Sequence, residues 1–392
     1  MCNRPFRGFL HEDSLSDLAF RQDDVSLSIR KLMFGLALVQ VVSALAWAQA
    51  GTVKITPLGS RTGDFCAQDR ALLFEDPTGV RILFDPGDTI RGGDDTRLGT
   101  VDAIIVTHAH ADHLGNLKLD QDPNSPTALC ALGPGFGSDV TPSSNTAQIA
   151  AKKSSALIAG SPLAAFLGLR IAQALGKPTT PACPAVGLTN DLLVPQAAPC
   201  TALINPGGKR TLRRSGASVG VQVSAVTAEH PNEVVPAFLT DPLKTNLAND
   251  GVSAYGGIAN GFVVAFTNGL TVYLTGDTGL ISDMQTVVNG YYRANLAVIN
   301  ISDTFVNGPE EAAFAIRNLI KPKAVIPSHA NEIATTGGAV NPGTRTARFI
   351  ELLHRSGDDG GDDGSSSLPV FVPRSGLTLE FDGQARCRVG CN

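Results

Sequence analysis

The segment VDAIIVTHAHADHLGN, residues 101–116, constrains the fold of this chain more than any other. It begins as an unbroken apolar run, which suits a strand covered on both faces, and the run stops at a histidine cluster. His108, His110, Asp112 and His113 fall within six positions, in a chain of 392 residues with only seven histidines. A lone histidine at a strand end is ordinarily a satisfied structural residue. Three imidazoles and a carboxylate in one turn are different. Ordinary packing cannot satisfy them, and desolvating them together costs several kcal/mol without a cation. The cluster therefore reads as a metal site at the end of a buried strand.

Four further apolar segments end in the same kind of residue. RILFDPG leads to Asp85, VQVSAVTAEH to His230, LTVYLTGD to Asp277 and AVIPSH to His329. A sheet fixes the backbone of such residues, while the following loop leaves the side chains open to substrate. Between these segments, ALLFEDPTGVRILF reads as a hairpin turning at residues 77–79, and GFVVAFTNGLTVYL as one turning at Asn268-Gly269. TAQIAAKKSSALIAGSPLAAFL reads as helix, strand and second helix. GPEEAAFAIRNLI is a helix with Pro309 at its first position and two glutamates at its positive end. PVFVPRSGLTLEF reads as a last strand. Strands interleaved with helices imply an α/β fold with helices outside the sheets. At 43% hydrophobic and 17% charged the chain can bury a large core. Its net charge of -5 argues against nucleic acid as a partner, which calls for a basic footprint.

Two stretches break this rhythm. Residues 118–145 and 176–208 are rich in Pro, Gly, Ser and Asn and read as long loop insertions. GDDGGDDGSSS, residues 357–367, reads as a solvated linker. Lys209, Arg210, Arg213 and Arg214 form a basic clump, read as a solvated hairpin or, alternatively, as a contact for an anionic substrate. Near the N-terminus, Arg30 and Lys31 precede an apolar run from Leu32 to Ala46 and then small residues at 46, 48 and 50. That is the shape of a secretory signal peptide cut near Ala48 or Ala50. An uncleaved anchor fits less well, because the run is short and Gln40 interrupts it. Residues 1–50 are therefore set aside as an extension plus signal peptide, residues 51–392 are read as one domain, and the protein is expected to be exported, periplasmic or secreted. Six cysteines remain after residue 50, which suits an oxidising compartment. Cys183 and Cys200 bracket a Pro-rich loop, and closing it with a disulfide would stabilise by about 3 kcal/mol. Cys387 and Cys391 can pair locally; Cys66 and Cys130 carry no assignment, and buried free thiols remain an alternative for some of the six.

THAHADH resembles the signature of the metallo-β-lactamase superfamily, and the other four strand ends match its remaining motifs in order, over roughly residues 52–335. GDTGLISDM and DTFVNGPEEAAFAI leading to KPKAVIPSH are similar to a broad branch of metal-dependent hydrolases that includes sugar-lactone hydrolases. The resemblance implies a four-layer αββα sandwich of two mixed sheets. It also implies two divalent ions, zinc in the first place with iron or manganese as alternatives. His108, His110 and His230 would hold the first ion and Asp112, His113 and His329 the second. Asp277 would bridge both, and Asp85 would orient the ligand loop from behind. Asp112 and Asp277 would also act in catalysis, by a dimetal-bound hydroxide that cleaves an ester, lactone, amide or phosphoester bond of a small molecule. Ser328, Ala330 and Asn331 depart from the branch pattern around His329, and Asn307 departs from it in the DTFVNG segment. These changes spare the metal residues and bear on the substrate. Two rivals stand beside this reading: a di-iron oxidoreductase on the same scaffold, and a non-catalytic metal-binding protein. No stable membrane partner is expected.

Overall fold

The computed structural model describes residues 51–130, 136–187, 191–354 and 367–391. The leader and residues 357–366 of the acidic linker lie outside them. All described residues belong to the unit Ala48–Asn392. In chain order the main strands are β1 (Val53–Pro57), β2 (Leu72–Glu75), β3 (Arg81–Phe84), β4 (Ala103–Ile105), β5 (Ala156–Ala159), β6 (Ala185–Val186), β7 (Asp191–Val194) and β8 (Cys200–Leu203). They continue as β9 (Lys209–Arg214), β10 (Val221–Thr227), β11 (Asn260–Ala265), β12 (Thr271–Leu274), β13 (Leu296–Asn300), β14 (Ala324–Ser328), β15 (Leu379–Phe381) and β16 (Cys387–Val389). Two eight-stranded mixed sheets result, with orders β8-β5-β4-β3-β2-β1-β15-β16 and β14-β13-β12-β11-β10-β9-β7-β6.

Side-chain alternation along the strands builds the layers. Ile82 and Phe84 of β3 and Ala103 and Ile105 of β4 share one core with Val272 and Leu274 of β12 and Leu296 and Val298 of β13. That core lies between the sheets. The alternate residues Leu83, Ile104 and Leu157 pack instead with Ile149 and Leu167, from the helices Asn145–Lys153 and Leu163–Ala174. On the second sheet, Tyr273, Ala297 and Val325 pack with Met284, Ala312 and Phe349, from helical segments at Met284–Tyr292, Pro309–Phe314 and Arg345–His354. The order is therefore helices, sheet, sheet, helices: the expected αββα sandwich. Continuous apolar runs in the central strands follow from burial on both faces. Among the described residues, no helix is long and apolar enough to cross a membrane.

Strand direction gathers the polar strand ends at one edge. β3, β4 and β5 are mutually parallel neighbours, as are β12, β13 and β14. β10 and β12 both pair antiparallel with β11, so they run the same way. Both hairpins form as read, β2–β3 and β11–β12.

The insertions hold more structure than their composition suggests. Residues 176–208 contribute β6 and β7 to one sheet and β8 to the other. Residues 117–119 and 137–139 form a small antiparallel pair. The six cysteines form Cys66–Cys130, Cys183–Cys200 and Cys387–Cys391. The segment read as a last strand is shorter than expected. Only Leu379–Phe381 is strand, with Val370 making a single bridge to Val325, because Pro369 and Pro373 interrupt the ladder. The basic clump lies on β9, where Arg213 pairs with Asp191 at 3.0 Å and Arg214 with Asp102 at 2.8 Å, Arg210 donates to the Leu203 carbonyl at 3.0 Å, and Lys209 is exposed. Asp102 precedes β4, at the end of that strand opposite the histidines.

Candidate metal centre

Asp85, fully buried just after β3, organises the histidine turn from behind. Its φ of +36° is one that side-chain-bearing residues seldom adopt. One carboxylate oxygen accepts the Thr107 amide at 2.9 Å; the other accepts the Thr107 hydroxyl at 2.7 Å and lies 2.8 Å from His113 Nδ1. Because that hydroxyl proton goes to Asp85, Thr107 Oγ1 can accept from His108 Nδ1 at 3.0 Å. Each ring thereby has its Nδ1 engaged from behind and its Nε2 facing Asp277. Gly87 completes the support: a Cβ there would sit 2.6 Å from the Asp112 carbonyl, so the loop after β3 can touch the histidine turn only as glycine.

Asp277, at the end of β12, stands in the middle. Its Oδ1 lies 3.3 Å from His113 Nε2. Its Oδ2 lies 3.3 Å from His329 Nε2, 3.6 Å from His230 Nε2 and 4.0 Å from His108 Nε2. His230 Nε2 is 3.1 Å from His110 Nδ1, and Asp112 Oδ2 is 3.2 Å from His329 Nε2. The donor atoms form three overlapping groups: His108, His110 and His230; His108, His113 and Asp277; Asp112, His113 and His329. Within each group they lie within 4.8 Å of one another. His108 Nε2, His113 Nε2 and Asp277 Oδ1 are buried with no hydrogen-bond partner among the described residues. Orphaned imidazole and carboxylate donors converging on common points fit divalent cations.

The electrostatics are those of packed charges. Burial would raise the Asp277 carboxyl, but His329 and His113 outweigh it and hold the group well below the usual carboxylate range. Burial, then His113, pushes His108 well below the ordinary imidazole value. Burial also opposes ionisation of Asp112, yet Arg70 beside it holds that carboxyl well below its usual range.

Arg70 is the residue that sequence reasoning missed. It is 4% exposed, and its Nε and Nη2 lie 2.9 and 2.8 Å from the same oxygen of Asp112. Nη2 also donates to Asn331 Oδ1 at 2.6 Å, and Nη1 to the Ala67 carbonyl at 3.2 Å. Asn232 was missed as well: its Oδ1 accepts the Ala109 amide at 2.8 Å, fixing the backbone between His108 and His110. The available signal for Arg70 was an isolated cation directly ahead of an apolar strand, in QDRALLF. At the rim, Glu233 Oε2 lies 3.6 Å from His110 Nε2. A cleft of about 580 Å³ opens there, lined by His230, Glu229, Glu233, Ser253, Tyr255 and Ile258 among others, with no Lys or Arg among its described lining residues.

Residues 68–329 match the family profile described as the beta-lactamase superfamily domain. A UPF0173 metal-dependent hydrolase of Polynucleobacter asymbioticus is 27% identical over 326 residues, 80% of this chain and 90% of that protein. A UPF0173 metal-dependent hydrolase of Cupriavidus metallidurans is 30% identical over 232 residues, 59% of this chain and 58% of that protein. Among solved structures, Igni18, a metallo hydrolase from Ignicoccus hospitalis, aligns with a TM-score of 0.48 at 19% identity, covering 84% of this chain and 99% of that one.

Proposed function

The chain belongs to the beta-lactamase superfamily, and on that premise we propose that it is a metal-dependent hydrolase with a two-ion centre, acting on the ester or lactone bond of a small molecule. The observation that carries this reading is the Asp277 carboxylate, which faces histidines of both halves of the cluster while its buried Oδ1 has no hydrogen-bond partner among the described residues. In this reading His108, His110 and His230 would hold one ion, Asp112, His113 and His329 the other, and Asp277 would serve both. Bound divalent ions supply an activated water and a Lewis acid for the scissile carbonyl. Asp85 keeps the histidine turn in place. Asp112, whose Oδ2 already takes two donors from Arg70, serves to orient rather than to carry protons.

The cleft beside His230 supports a carbonyl substrate over a phosphodiester, because its lining offers Glu229 and Glu233 and no cation. Zinc is the proposed metal, since the donors are imidazole and carboxylate without thiolate. The proposal includes export. Three disulfides pairing all six cysteines after residue 50 suit an oxidising compartment.

The test is metal analysis of the purified full chain together with an ester, lactone and phosphodiester panel, before and after chelation. Two equivalents of zinc, and ester or lactone turnover that chelation removes and zinc restores, are expected. Redox-active iron with oxygen uptake, or turnover indifferent to chelator, refutes the reading. Mass spectrometry of the exported protein should find a new N-terminus at Gln49 or Gly51.

A further inference from the structure

We propose that Arg70 makes the two ion positions unequal, keeping the one at Asp112, His113 and His329 the weaker and more exchangeable. The inference rests on the two-ion reading above. The guanidinium is buried, and two of its donors are spent on a single oxygen of Asp112, the same oxygen that lies 3.2 Å from His329 Nε2. An ion held by that triad shares its carboxylate oxygen with a fixed positive charge. Repulsion between the two falls only inversely with distance and is poorly screened in a buried setting. A guanidinium keeps its charge at every working pH, so the effect is permanent.

Among the described residues, no Lys or Arg lines the cleft beside the other triad. Glu233 lies 3.6 Å from His110, and Glu229 lines the cleft with His230; both carboxylates favour a cation there. Nor is Arg70 free to swing aside. Asn331 and the Ala67 carbonyl hold its remaining donors. The loop that carries it is pinned by the Cys66–Cys130 disulfide and by Asp69, which accepts the Ser60 and Cys66 amides at 2.9 Å each. The cleft-side triad would therefore keep its ion, and the triad beside Arg70 would exchange its own with the free concentration.

The experiment is zinc titration of the full chain against a competing chelator, for wild type, R70Q, R70K and N331A, with circular dichroism as the check on folding. Wild type should show two dissociation constants at least tenfold apart. R70Q should tighten the second at least tenfold and leave the first within threefold. R70K keeps the charge and should keep the gap. N331A, which loosens the guanidinium without removing it, should tighten the second about threefold, and this carries the test should R70Q fail to fold. Equal affinities in wild type, an unchanged or weaker second ion in R70Q or N331A, or a gap that closes in R70K overturns the inference. Absence of zinc binding in every form overturns the two-ion reading beneath it instead.

Discussion

The two halves of the centre are built to opposite specifications. In the half at His110 and His230, His230 lines a cleft of about 580 Å³, and the His110 side chain is 24% exposed. The half at His113 and His329 borders a hollow of about 10 Å³, walled by Arg70, Asp85 and Asp277 among others; these two imidazoles are no more than 6% exposed, like His230 at 5%, while Asp112 is 33% exposed. One half borders the cleft through His230; the other carries the guanidinium of Arg70 and its amide partner Asn331 against Asp112. Precision at a reactive centre comes from such support, and access comes from leaving part of it out.

Three substitutions probe this contrast. Asp277→Ala removes the one group both halves share, and turnover should fall by roughly 10³-fold, the scale of deleting a charge-stabilising group at a reacting centre. Metal analysis should show ion loss while circular dichroism stays native; preserved activity would remove the link between the halves. Asp85→Asn strikes the buried support behind His113 and, through Thr107, His108. It sets an amide nitrogen against Thr107 or His113, so metal affinity should drop about 10- to 100-fold, with thermal stability falling by about 1–3 kcal/mol. Chelator competition and thermal melts measure both. Glu233→Gln is the counterpart on the cleft side, another carboxylate beside a histidine, but with its side chain 40% exposed. Its stability effect should stay within about 0.5 kcal/mol, and kcat/KM should move less than about threefold. If Glu233→Gln costs as much as Asp85→Asn, the two halves are not differently built.

How much of this was legible follows from the range of each signal. Strand parity, the hairpin turns and the histidine turn are local patterns, and they announced the central strands and the polar residues at their ends; the two-sheet sandwich was implied by the family resemblance. Arg70 was invisible because its partners lie 42 residues away at Asp112 and 261 residues away at Asn331. Nothing near Arg70 in the chain announces either. Asn331, visible only as a departure from a family pattern, proves to be the acceptor that holds the guanidinium. Cys66 and Cys130, 64 residues apart, lacked the bracketing loop that singled out Cys183 and Cys200. β6, β7 and β8 were hidden because two to four residues between prolines and glycines show no period, and only pairing with existing sheets makes them strands.

The Cys183–Cys200 bridge spans the stretch that supplies an end strand to one sheet just before β8 ends the other. Severing the main chain anywhere inside it would leave two pieces still tied through sulfur, one carrying β1 to β5 and the other β8 to β16. A protease-nicked molecule would then migrate as a single species until a reductant parted the fragments.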